Sequence, residues 1–434
     1  MAVGLDVYLY GERIASISRR RGVLSLKYTD EYAFREASIP ISVQFPVSPG
    51  GYSGEKVDRF LENLLPDREE VRSKWARDAG LDTTAAFELL SVYGADVAGA
   101  LEFYPHGVGP SERQELRPVD DEEIADRIRQ IRRDDSNWAD RSAAGQPFSL
   151  AGAQGKFALA YKDGQWFEPR GSAPSTHIFK PGINGHDGSD VTEHVTMRVA
   201  RALGMGVATT ELREFAGEHV LVVERFDRVR EDDAVVRIHQ EDLAQATGTA
   251  VLKKYEKDGG PSVADLFLLF ERQLAPAFAL DAKRQFAESL VFASFVGHND
   301  GHSKNYSLHM YPGLVLLAPL YDLNCNLVFE PESTCRAKDY SAYNAVELAF
   351  SVNQSRRLGD FSGASLRVLE ADAGLPAGYL AEFARRLEER IADALRDAID
   401  ELPEPLQQLT AVRNYPFVIY AQRQRVRNVL SEIR

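Results

Sequence analysis

One stretch of nine residues limits what this chain can fold into more than any other feature of its sequence. Gly297 to Asn305 reads Gly-His-Asn-Asp-Gly-His-Ser-Lys-Asn and directly follows an apolar run from Leu290 to Val296. The stretch holds a carboxylate, two amides, two imidazoles and an ammonium group, and such groups are rarely buried together in a hydrophobic core. We therefore interpret it as a functional site that the apolar segment positions.

The composition limits the classes of protein to which the chain can belong. At 434 residues it is long for one hydrophobic core, so we expect two or three domains. A hydrophobic content of 44% and a charged content of 27% are typical of a globular protein. The formal net charge of −14 argues against a protein whose whole surface binds nucleic acid, although a local basic patch is compatible with it.

The sequence also predicts where the protein acts. No apolar run approaches the roughly 18 to 20 residues that a membrane-spanning helix needs, and the N-terminus lacks the pattern of a secretory signal. The two cysteines, Cys325 and Cys335, are too few for a disulfide scaffold and have no neighbours at the spacing of metal ligands. We therefore expect a cytoplasmic protein with no part in a membrane.

Three parts of the chain differ in their residue patterns. Apolar and polar residues alternate between Leu5 and Tyr28, which predicts a small antiparallel meander, and a connector with prolines and glycines follows at 105–118. A charged helix is then predicted at 119–143, and from Ser262 onward the apolar spacing is mainly helical. The predicted domains are 1–108, 109–245 and 246–434.

The spacing of the polar stretch is that of a kinase catalytic loop. Asp300 and Asn305 are five positions apart, as are the acid and the amide in the protein-kinase sequence His-Arg-Asp-x-x-x-x-Asn. The segment 306–318 predicts a hairpin that would return the chain and set Asp322 beside Asn305. Phosphoryl transfer needs an acid near the nucleophile and divalent cations held by oxygen ligands. Asn299 replaces the arginine, and Leu323 replaces the phenylalanine after the second acid, so the pattern indicates a relative of ordinary protein kinases.

Other parts of a kinase occur in the expected order. Ala151 to Gly155 predict a small-residue loop between two strands, and such a loop lets backbone N–H groups approach an anion. Lys180 ends a strand-like segment behind this loop, and Glu193 lies on the next predicted helix, as the paired lysine and glutamate of a kinase do. Residues 236–243 predict a hinge that could pair with adenine. We interpret the ordered set as phosphoryl-transfer chemistry.

Six segments carry a more specific resemblance. They are 60–66 (Phe-Leu-Glu-Asn-Leu-Leu-Pro), 149–156 (Ser-Leu-Ala-Gly-Ala-Gln-Gly-Lys), 224–228 (Glu-Arg-Phe-Asp-Arg), 239–242 (His-Gln-Glu-Asp), 299–305 (Asn-Asp-Gly-His-Ser-Lys-Asn) and 321–322 (Tyr-Asp). Together they resemble the HipA family of bacterial serine/threonine kinase toxins along nearly the whole chain. The resemblance implies an α+β, two-lobed protein-kinase-like fold with a small β-rich N-terminal subdomain, a mixed β/α N-lobe and an all-helical C-lobe.

The resemblance also implies roles for the matching residues. Asp300 would be the catalytic acid/base, and Asn305 and Asp322 would hold Mg²⁺. The residues expected to bind ATP are the phosphate loop (Ala151, Gly152, Ala153, Gln154, Gly155 and Lys156), Lys180, and the hinge residues Glu241, Asp242 and Leu243. We add His302 and Lys304, which lie between the acid and the amide, and the pair Tyr321 and Asp322. Family members phosphorylate their own serine just before the phosphate loop, here Ser149, and the modified loop is ejected.

The expected partners come from the same resemblance. The family's usual partner is HipB, a small helix-turn-helix antitoxin, and we expect contact with operator DNA through that complex. A dimer is expected within the antitoxin complex. The family's well-known target is glutamyl-tRNA synthetase, whose inactivation stalls translation and leads to growth arrest and persistence.

Two other functions fit parts of the pattern. Antibiotic phosphotransferases share an early Asp/Asn pair and a later Asp, but they have no need of a module such as residues 1–108. A pseudokinase that serves as a corepressor is the non-enzymatic alternative. The presence of Lys180, Asp300, Asn305 and Asp322 argues against it.

Overall fold

A computed structural model describes residues 4–111, 114–136, 151–232 and 234–433, and these ranges form sheets and helices of the α+β class that the sequence predicts. Two compact units can be distinguished. The first consists of Met1–Pro181, Arg213–Leu252 and Ser307–Val315, and the second of Gly182–Leu212, Lys253–Tyr306 and Leu316–Arg434. Most of the first two predicted domains therefore belongs to the first unit, while the boundaries at 108 and 245 stay a prediction.

The N-terminal part of the first unit is built on a five-stranded sheet. Its strands are β1 (Gly4–Leu9), β2 (Glu12–Arg20), β3 (Val23–Tyr28), β4 (Tyr52–Ser53) and β5 (Leu101–Pro105), in the order β4-β3-β2-β1-β5. Its helices are α1 (Asp30–Ala33), α2 (Glu55–Glu62), α3 (Glu69–Ala79) and α4 (Ala86–Tyr93). Leu24, Leu26 and Tyr28 are buried at every second position of β3, as the side-chain period of a strand requires. The predicted antiparallel meander is thus confirmed.

A six-stranded sheet follows in the chain. Its strands are β6 (Gln114–Pro118), β7 (Phe157–Lys162), β8 (Gln165–Gly171), β9 (His177–Lys180), β10 (Thr210–Phe215) and β11 (Glu218–Glu224), in the order β10-β11-β9-β7-β8-β6. Helix α5 (Asp121–Arg133) contributes three isoleucines to a buried cluster with Phe157 and Phe179. Helix α6 (Ser189–Ala202), between β9 and β10 in the sequence, belongs to the second unit.

Helix α5 is shorter than the sequence predicts. Its start is as expected, because the side chain of Asp120 accepts the N–H of Glu123 at 2.9 Å in a capping box. It ends at Arg133, since Asp134 is extended and accepts hydrogen bonds from the N–H and the hydroxyl of Ser136. Such a local side-chain turn competes with helix continuation. Residues 137–143 of the predicted helix lie outside the described residues.

Short strands follow, and all of them belong to the first unit except the last two residues of β16. They are β12 (Arg228–Glu231), β13 (Ala234–Arg237), β14 (His239–Asp242), β15 (Ser307–Tyr311) and β16 (Leu314–Leu317), and helix α7 (Leu243–Thr247) follows β14 directly. β12 pairs with β13, while β14, β15 and β16 form a three-stranded sheet. The predicted hairpin after Asn305 is therefore present as β15 and β16. The predicted hinge forms a strand paired to this hairpin.

Helices dominate the second unit, as predicted. Besides α6 they are α8 (Val263–Gln273), α9 (Pro276–Val296), α10 (Glu332–Arg336), α11 (Gly363–Ala373), α12 (Tyr379–Asp400), α13 (Glu404–Gln407) and α14 (Thr410–Ser431). Leu380, Phe383 and Leu387 lie on the buried stripe of α12, which has the 3.6-residue spacing of an amphipathic helix. Among the described helices, none is long and apolar enough to span a membrane.

One part of the second unit corrects the all-helical lobe that the resemblance implies. Strands β17 (Glu347–Val352) and β18 (Ser355–Arg357) form an antiparallel hairpin. Asn353 and Gln354 connect them with φ angles of 51° and 66°. Two successive left-handed residues form the kind of turn that matches strand twist. The turn contains no glycine, and the usual sequence signal for such a hairpin is therefore missing.

Candidate active site

The polar stretch begins where helix α9 is forced to end. Gly297 has a φ of 74°, the left-handed conformation that terminates many helices. A Cβ at this position would lie 2.3 Å from side-chain atoms of Leu327. Only glycine can therefore be placed here without displacing its neighbours. The buried end of α9 thus fixes the point at which the predicted catalytic loop begins.

Asp300 is the exposed member of an otherwise buried loop. Residues 301–305 are buried, and the backbone carbonyl of Asp300 accepts the N–H of His302 at 2.8 Å and the side-chain amide of Asn305 at 3.2 Å. The hydroxyl of Tyr255 donates a hydrogen bond to Oδ1 of Asp300. The ring of Tyr255 also meets the ring of His302 edge to face, with centroids 4.9 Å apart. Asp300 is thus oriented through one oxygen, while Oδ2 is the atom that could take a proton from a substrate.

Asn305 and Asp322 are the residues predicted to offer oxygen atoms to a cation. Because the amide nitrogen of Asn305 donates to Asp300, its amide oxygen is the atom that could ligate a cation. The hydroxyl of Tyr321 donates to the backbone carbonyl of Lys304 at 2.7 Å. This bond joins the residues that directly precede Asp322 and Asn305.

The donor set fits Mg²⁺, which binds proteins through one or two carboxylates and keeps several waters. Among the described residues, no group of three His, Cys, Asp or Glu side chains could hold a metal ion. One carboxylate and one amide do not require such a group. Asp322 is half-buried with a φ of 58°, and a non-glycine residue in this conformation costs roughly 1–3 kcal/mol and is often found at functional sites.

His298 connects the predicted catalytic loop with the segment after Asp322. Its Nδ1 lies 3.3 Å from the backbone nitrogen and 3.2 Å from the backbone oxygen of Asn324. Burial lowers the pKa of His298, so the ring is neutral at physiological pH. The amide of Asn326 donates to Asn299 at 2.5 Å. These contacts agree with a structural role for His298.

The predicted phosphate loop lies in the first unit. Gly152 has a φ of 112°, which L side chains rarely adopt. Nζ of Lys156 donates to the carbonyl of Ala151 at 2.9 Å and closes the loop on itself. Gly155 is buried, whereas Ala153 is exposed and Gln154 half-buried. The predicted phosphorylation site Ser149 lies outside the described residues.

The two lysines and the glutamate of the predicted kinase set are buried. Lys180 is the last residue of β9, where it pairs with Leu221 of β11, and it is 5% exposed. Lys156 is 7% exposed, and Glu193 on α6 is 6% exposed. Lys180 and Lys156 belong to the first unit and Glu193 to the second.

The side chains of the predicted hinge contact other parts of the protein and are not available to a ligand. Oε1 of Glu241 accepts the N–H of Val43 at 2.8 Å, and burial raises the pKa of Glu241 to about 8 despite hydrogen bonds from Val43 and Ser42. Its Oε2 has no hydrogen-bond partner within the described part of the chain. Asp242 caps helix α7 by accepting the N–H of Gln245 at 2.8 Å, and Leu243 is fully buried. Backbone groups of this segment are therefore what could pair with a base.

The segment 224–228 forms part of a buried cluster of charged side chains, which its sequence does not indicate. Arg225 and Arg228 pair with Asp227 and Asp96, and all four side chains are buried. Burial alone would raise the pKa of Asp227, but the two arginines outweigh burial and hold it below its usual range. Asp227 also accepts the N–H of Gly99 at 2.7 Å. This cluster joins β11 and β12 to the N-terminal part of the first unit.

Two contacts with the predicted site were missed by sequence reasoning. Tyr255 lies 45 positions before Asp300, and Asp67 lies 85 positions before Gly152, to which it is hydrogen-bonded. Neither residue stands in a local pattern that points to its partner. The segment 60–66, which ends one residue before Asp67, was the nearest available signal.

Comparison with known proteins places these features in a family. Residues 5–104 match the family model described as HipA N-terminal domain, and residues 148–401 match that described as HipA-like C-terminal domain. The chain is 32% identical to the putative kinase Y4mE of Sinorhizobium fredii, over 93% of this chain and 93% of that protein. It is 30% identical to the serine/threonine-protein kinase toxin HipA of Shewanella oneidensis, over 94% of this chain and 92% of that protein.

A solved structure agrees with this result. The chain matches the structure of the Shewanella oneidensis toxin-antitoxin system HipA, HipB and its operator DNA complex with a TM-score of 0.82 and 28% identity, over 99% of both chains. The kinase-like α+β fold that the sequence predicts is thereby confirmed. The two family models match both halves of the chain, and the HipA toxin and its solved structure match nearly its full length. The chain belongs to the HipA family of serine/threonine kinase toxins.

Proposed function

We propose that the protein is an ATP- and Mg²⁺-dependent serine/threonine protein kinase and the toxin of a toxin-antitoxin pair. The observation that carries the proposal is the exposed carboxylate of Asp300, which Tyr255 orients within a buried loop and whose backbone the amide of Asn305 contacts. This is the placement of a base that takes a proton from an incoming hydroxyl. Family membership supports the same reaction.

Each residue has a defined part in the proposed reaction. A serine hydroxyl of the target forms a bond to the γ-phosphorus of ATP while the bond to ADP breaks, and Asp300 accepts the hydroxyl proton. Asn305 and Asp322 would hold Mg²⁺, which neutralises phosphate oxygens when bound. Lys180 and the backbone N–H groups of the loop 151–156 bind phosphate oxygens, except the N–H of Gly152, which donates to Asp67. Lys304 and His302 contact the nucleotide from the proposed catalytic loop. Glu241 to Leu243 bind adenine through their backbone, and Tyr321 supports Asp322.

Asp300→Asn tests the proposed chemistry. Purified wild-type protein incubated with γ-labelled ATP and Mg²⁺ should acquire label, and Asp300→Asn should not. Asp82→Asn, at an exposed aspartate of another loop, is the matched control and should be labelled like the wild type. Labelling of Asp300→Asn at the wild-type rate would remove Asp300 from its proposed role.

Self-phosphorylation at Ser149 is the proposed off-switch. Ser149→Ala should remove most self-labelling and leave phosphate transfer to a protein target intact. Label that persists at another residue of Ser149→Ala would contradict ejection of a phosphorylated loop as the means of silencing.

The proposed target is a protein of translation such as glutamyl-tRNA synthetase, and its inactivation would arrest growth. Phosphoproteomics after brief induction in cells, with Asp300→Asn as the control, would identify it. A phosphosite that appears with the wild type and not with Asp300→Asn is the expected result. Cytoplasmic location agrees with this target and with the two cysteines, which are both free and buried.

The proposed partner is a HipB-like helix-turn-helix antitoxin. The similar Shewanella oneidensis structure contains HipA, HipB and operator DNA, and this supports contact of the present chain with an operator through its antitoxin. A dimer would form within that complex. Co-expression with a HipB-like antitoxin should relieve growth arrest and yield a complex that shifts operator DNA.

A further inference from the structure

The N-terminal part of the first unit holds the phosphate loop through a short strand-like contact. Pro66 and Gly152 form a parallel β-bridge. The N–H of Asp67 donates to the carbonyl of Gly152 at 2.9 Å, and the N–H of Gly152 donates to Oδ1 of Asp67 at 3.3 Å. Both backbone hydrogen-bonding groups of Gly152 are thus taken by one residue of the N-terminal module (residues 1–108).

The segment that makes this contact is itself fixed. Arg72 on α3 is 7% exposed, and its Nε donates to the carbonyl of Pro66 at 2.6 Å. The same guanidinium donates to the backbone carbonyl of Glu62 at 2.9 Å and pairs with the Glu62 carboxylate. The end of α2, the turn at Pro66 and the start of α3 are therefore tied to one another. Asp67 projects from a rigid turn rather than from a free loop.

The same module also contacts the predicted hinge. The N–H of Val43 donates to Glu241, and the ring of His239 lies 3.0 Å from the carbonyl of Ile41. The side-chain amide of Asn63, which is 1% exposed, donates to the carbonyl of Thr249 at 2.9 Å. One module therefore holds both the loop predicted to bind phosphates and the segment predicted to bind the base.

The loop has little to hold it in place by its own sequence. Ala151 to Gly155 contain mostly small side chains, and Gly152 has a φ of 112°, a conformation whose backbone entropy must be lost on ordering. The bond from Lys156 to Ala151 restrains one side of the turn, and Asp67 restrains the other. A binding site that is ordered beforehand binds its ligand more tightly, because that loss is not repeated on binding.

We propose that Asp67 is a positioning residue of the nucleotide site, so that the N-terminal module is a working part of ATP binding. This inference rests on the proposed function, in which residues 151–156 bind phosphate. The Asp67 carboxylate fixes Gly152, and the backbone N–H groups that follow are thereby presented to the phosphates. The seven residues before Asp67 form the 60–66 segment, and its buried Asn63 and its turn at Pro66 support this contact.

The test measures nucleotide affinity in the full-length protein. Equilibrium titration with a methylanthraniloyl-ATP probe and Mg²⁺ should show binding about 3- to 10-fold weaker for Asp67→Ala than for the wild type, the range expected for one lost hydrogen bond. Asp67→Asn keeps the Oδ1 acceptor and should bind within about twofold of the wild type. Asp82→Ala, at the exposed aspartate between α3 and α4, is the control and should bind normally.

A second variant and a second measurement separate positioning from stability. Asp67→Glu keeps the charge and moves the acceptor by one methylene, so it should bind as weakly as Asp67→Ala, and it serves if the alanine variant does not fold. Thermal unfolding without nucleotide should be nearly the same for the wild type and the variants. Hydrogen exchange at residues 152–156 should be faster in Asp67→Ala.

The outcomes distinguish failure of this inference from failure of the proposed function. Wild-type affinity in Asp67→Ala and Asp67→Glu would overturn the positioning role, as would equal weakening in Asp67→Asn and Asp67→Ala. If Asp67→Ala had a lower unfolding temperature and an unchanged nucleotide affinity, the contact between Asp67 and Gly152 would have a structural role only. Absence of saturable, Mg²⁺-dependent probe binding in the wild type would overturn the proposed kinase function and this inference with it.

Discussion

Two acidic groups from short, distinctive segments have opposite surroundings in this protein. Asp227 is 2% exposed and pairs with Arg225 and Arg228. Asp300 is exposed, and its carboxylate accepts a hydrogen bond from the phenol of Tyr255. Both segments belong to the six that carry the family resemblance. In the structure Asp227 lies in the interior, whereas Asp300 is exposed to solvent.

The difference lies in what each carboxylate can still do. A buried carboxylate between two guanidinium groups is held in its charged form, and removing one partner from such a cluster leaves an uncompensated charge in the interior. An exposed carboxylate oriented by a neutral donor keeps an oxygen free for proton transfer. Substitution should therefore destabilise the fold in the first region and inactivate the protein in the second.

The largest expected effect is on the reaction. Asp322→Ala should lower the rate of phosphate transfer by at least the roughly 100- to 10,000-fold that loss of a base alone causes, because it removes a proposed metal ligand. Asp163→Ala is the matched control, since Asp163 is an exposed aspartate with a left-handed φ of 50° in a turn between β7 and β8. Its transfer rate, measured with labelled ATP, should be that of the wild type. Substantial phosphate transfer by Asp322→Ala would contradict the proposed role of Asp322 as a metal ligand.

The next effect is on folding. Asp227→Asn should lower the free energy of unfolding by about 3–5 kcal/mol, because two buried guanidinium groups lose a charged partner. Asp300→Asn, the same change at an exposed position, should shift it by no more than about 0.5 kcal/mol. Urea denaturation of both variants measures the two changes in the free energy of unfolding. Equal stabilities would show that burial does not separate the two acids.

Glu241 is a third buried acid, and it differs from Asp227 because it forms no ion pair within the described part of the chain. Burial raises the pKa of Glu241 to about 8. Its folded pKa lies above the ordinary value of 4.5, so its stabilising contribution is present at low pH and is lost as pH rises towards 8. Between pH 6 and pH 8 the wild type should lose roughly 2 kcal/mol of unfolding free energy relative to Glu241→Gln. Urea denaturation at both pH values measures this. If the unfolding free energies of the two proteins changed equally between pH 6 and pH 8, Glu241 would be ionised over that whole range.

The smallest effect concerns the group that orients Asp300. Tyr255→Phe removes the hydroxyl and keeps the ring against His302, so phosphate transfer should fall by about 3- to 10-fold, the range of one hydrogen bond. Tyr10→Phe, at a tyrosine that is 52% exposed in the first unit, should leave the rate unchanged. The rates are compared at saturating ATP. A rate in Tyr255→Phe equal to that of the wild type would show that Asp300 needs no orienting donor.

Local patterns predicted those parts of the molecule that local interactions determine. The apolar run before Gly297, the turn at Tyr311 to Gly313 and the alternation in β3 each express their structure within a few residues, and all three were predicted. The hairpin of β17 and β18 was not, because its left-handed turn is made by Asn353 and Gln354 without a glycine. Helix α5 ended early for an equally local reason, the Asp134 turn, whose signal was weaker than the run of charged residues around it.

Contacts between distant segments could not be predicted from the pattern. Nothing near Tyr255 indicates that its hydroxyl reaches Asp300, and nothing near Asp67 indicates a bond to Gly152. The family resemblance marked residues 60–66 and 224–228 without giving them a task. Their tasks, supporting a loop and burying a charge cluster, depend on partners that only the folded chain brings together.

The interleaving of the two units has a consequence for synthesis of the chain. The first unit includes Ser307–Val315, and β14 pairs with β15 from that segment. A ribosome adding roughly 5–20 residues per second must therefore work for several seconds beyond β14 before the pairing partner exists. No early fragment of the nascent chain holds the whole first unit. A cell that makes this protein is thus exposed to its proposed activity only after about three quarters of the chain has been translated.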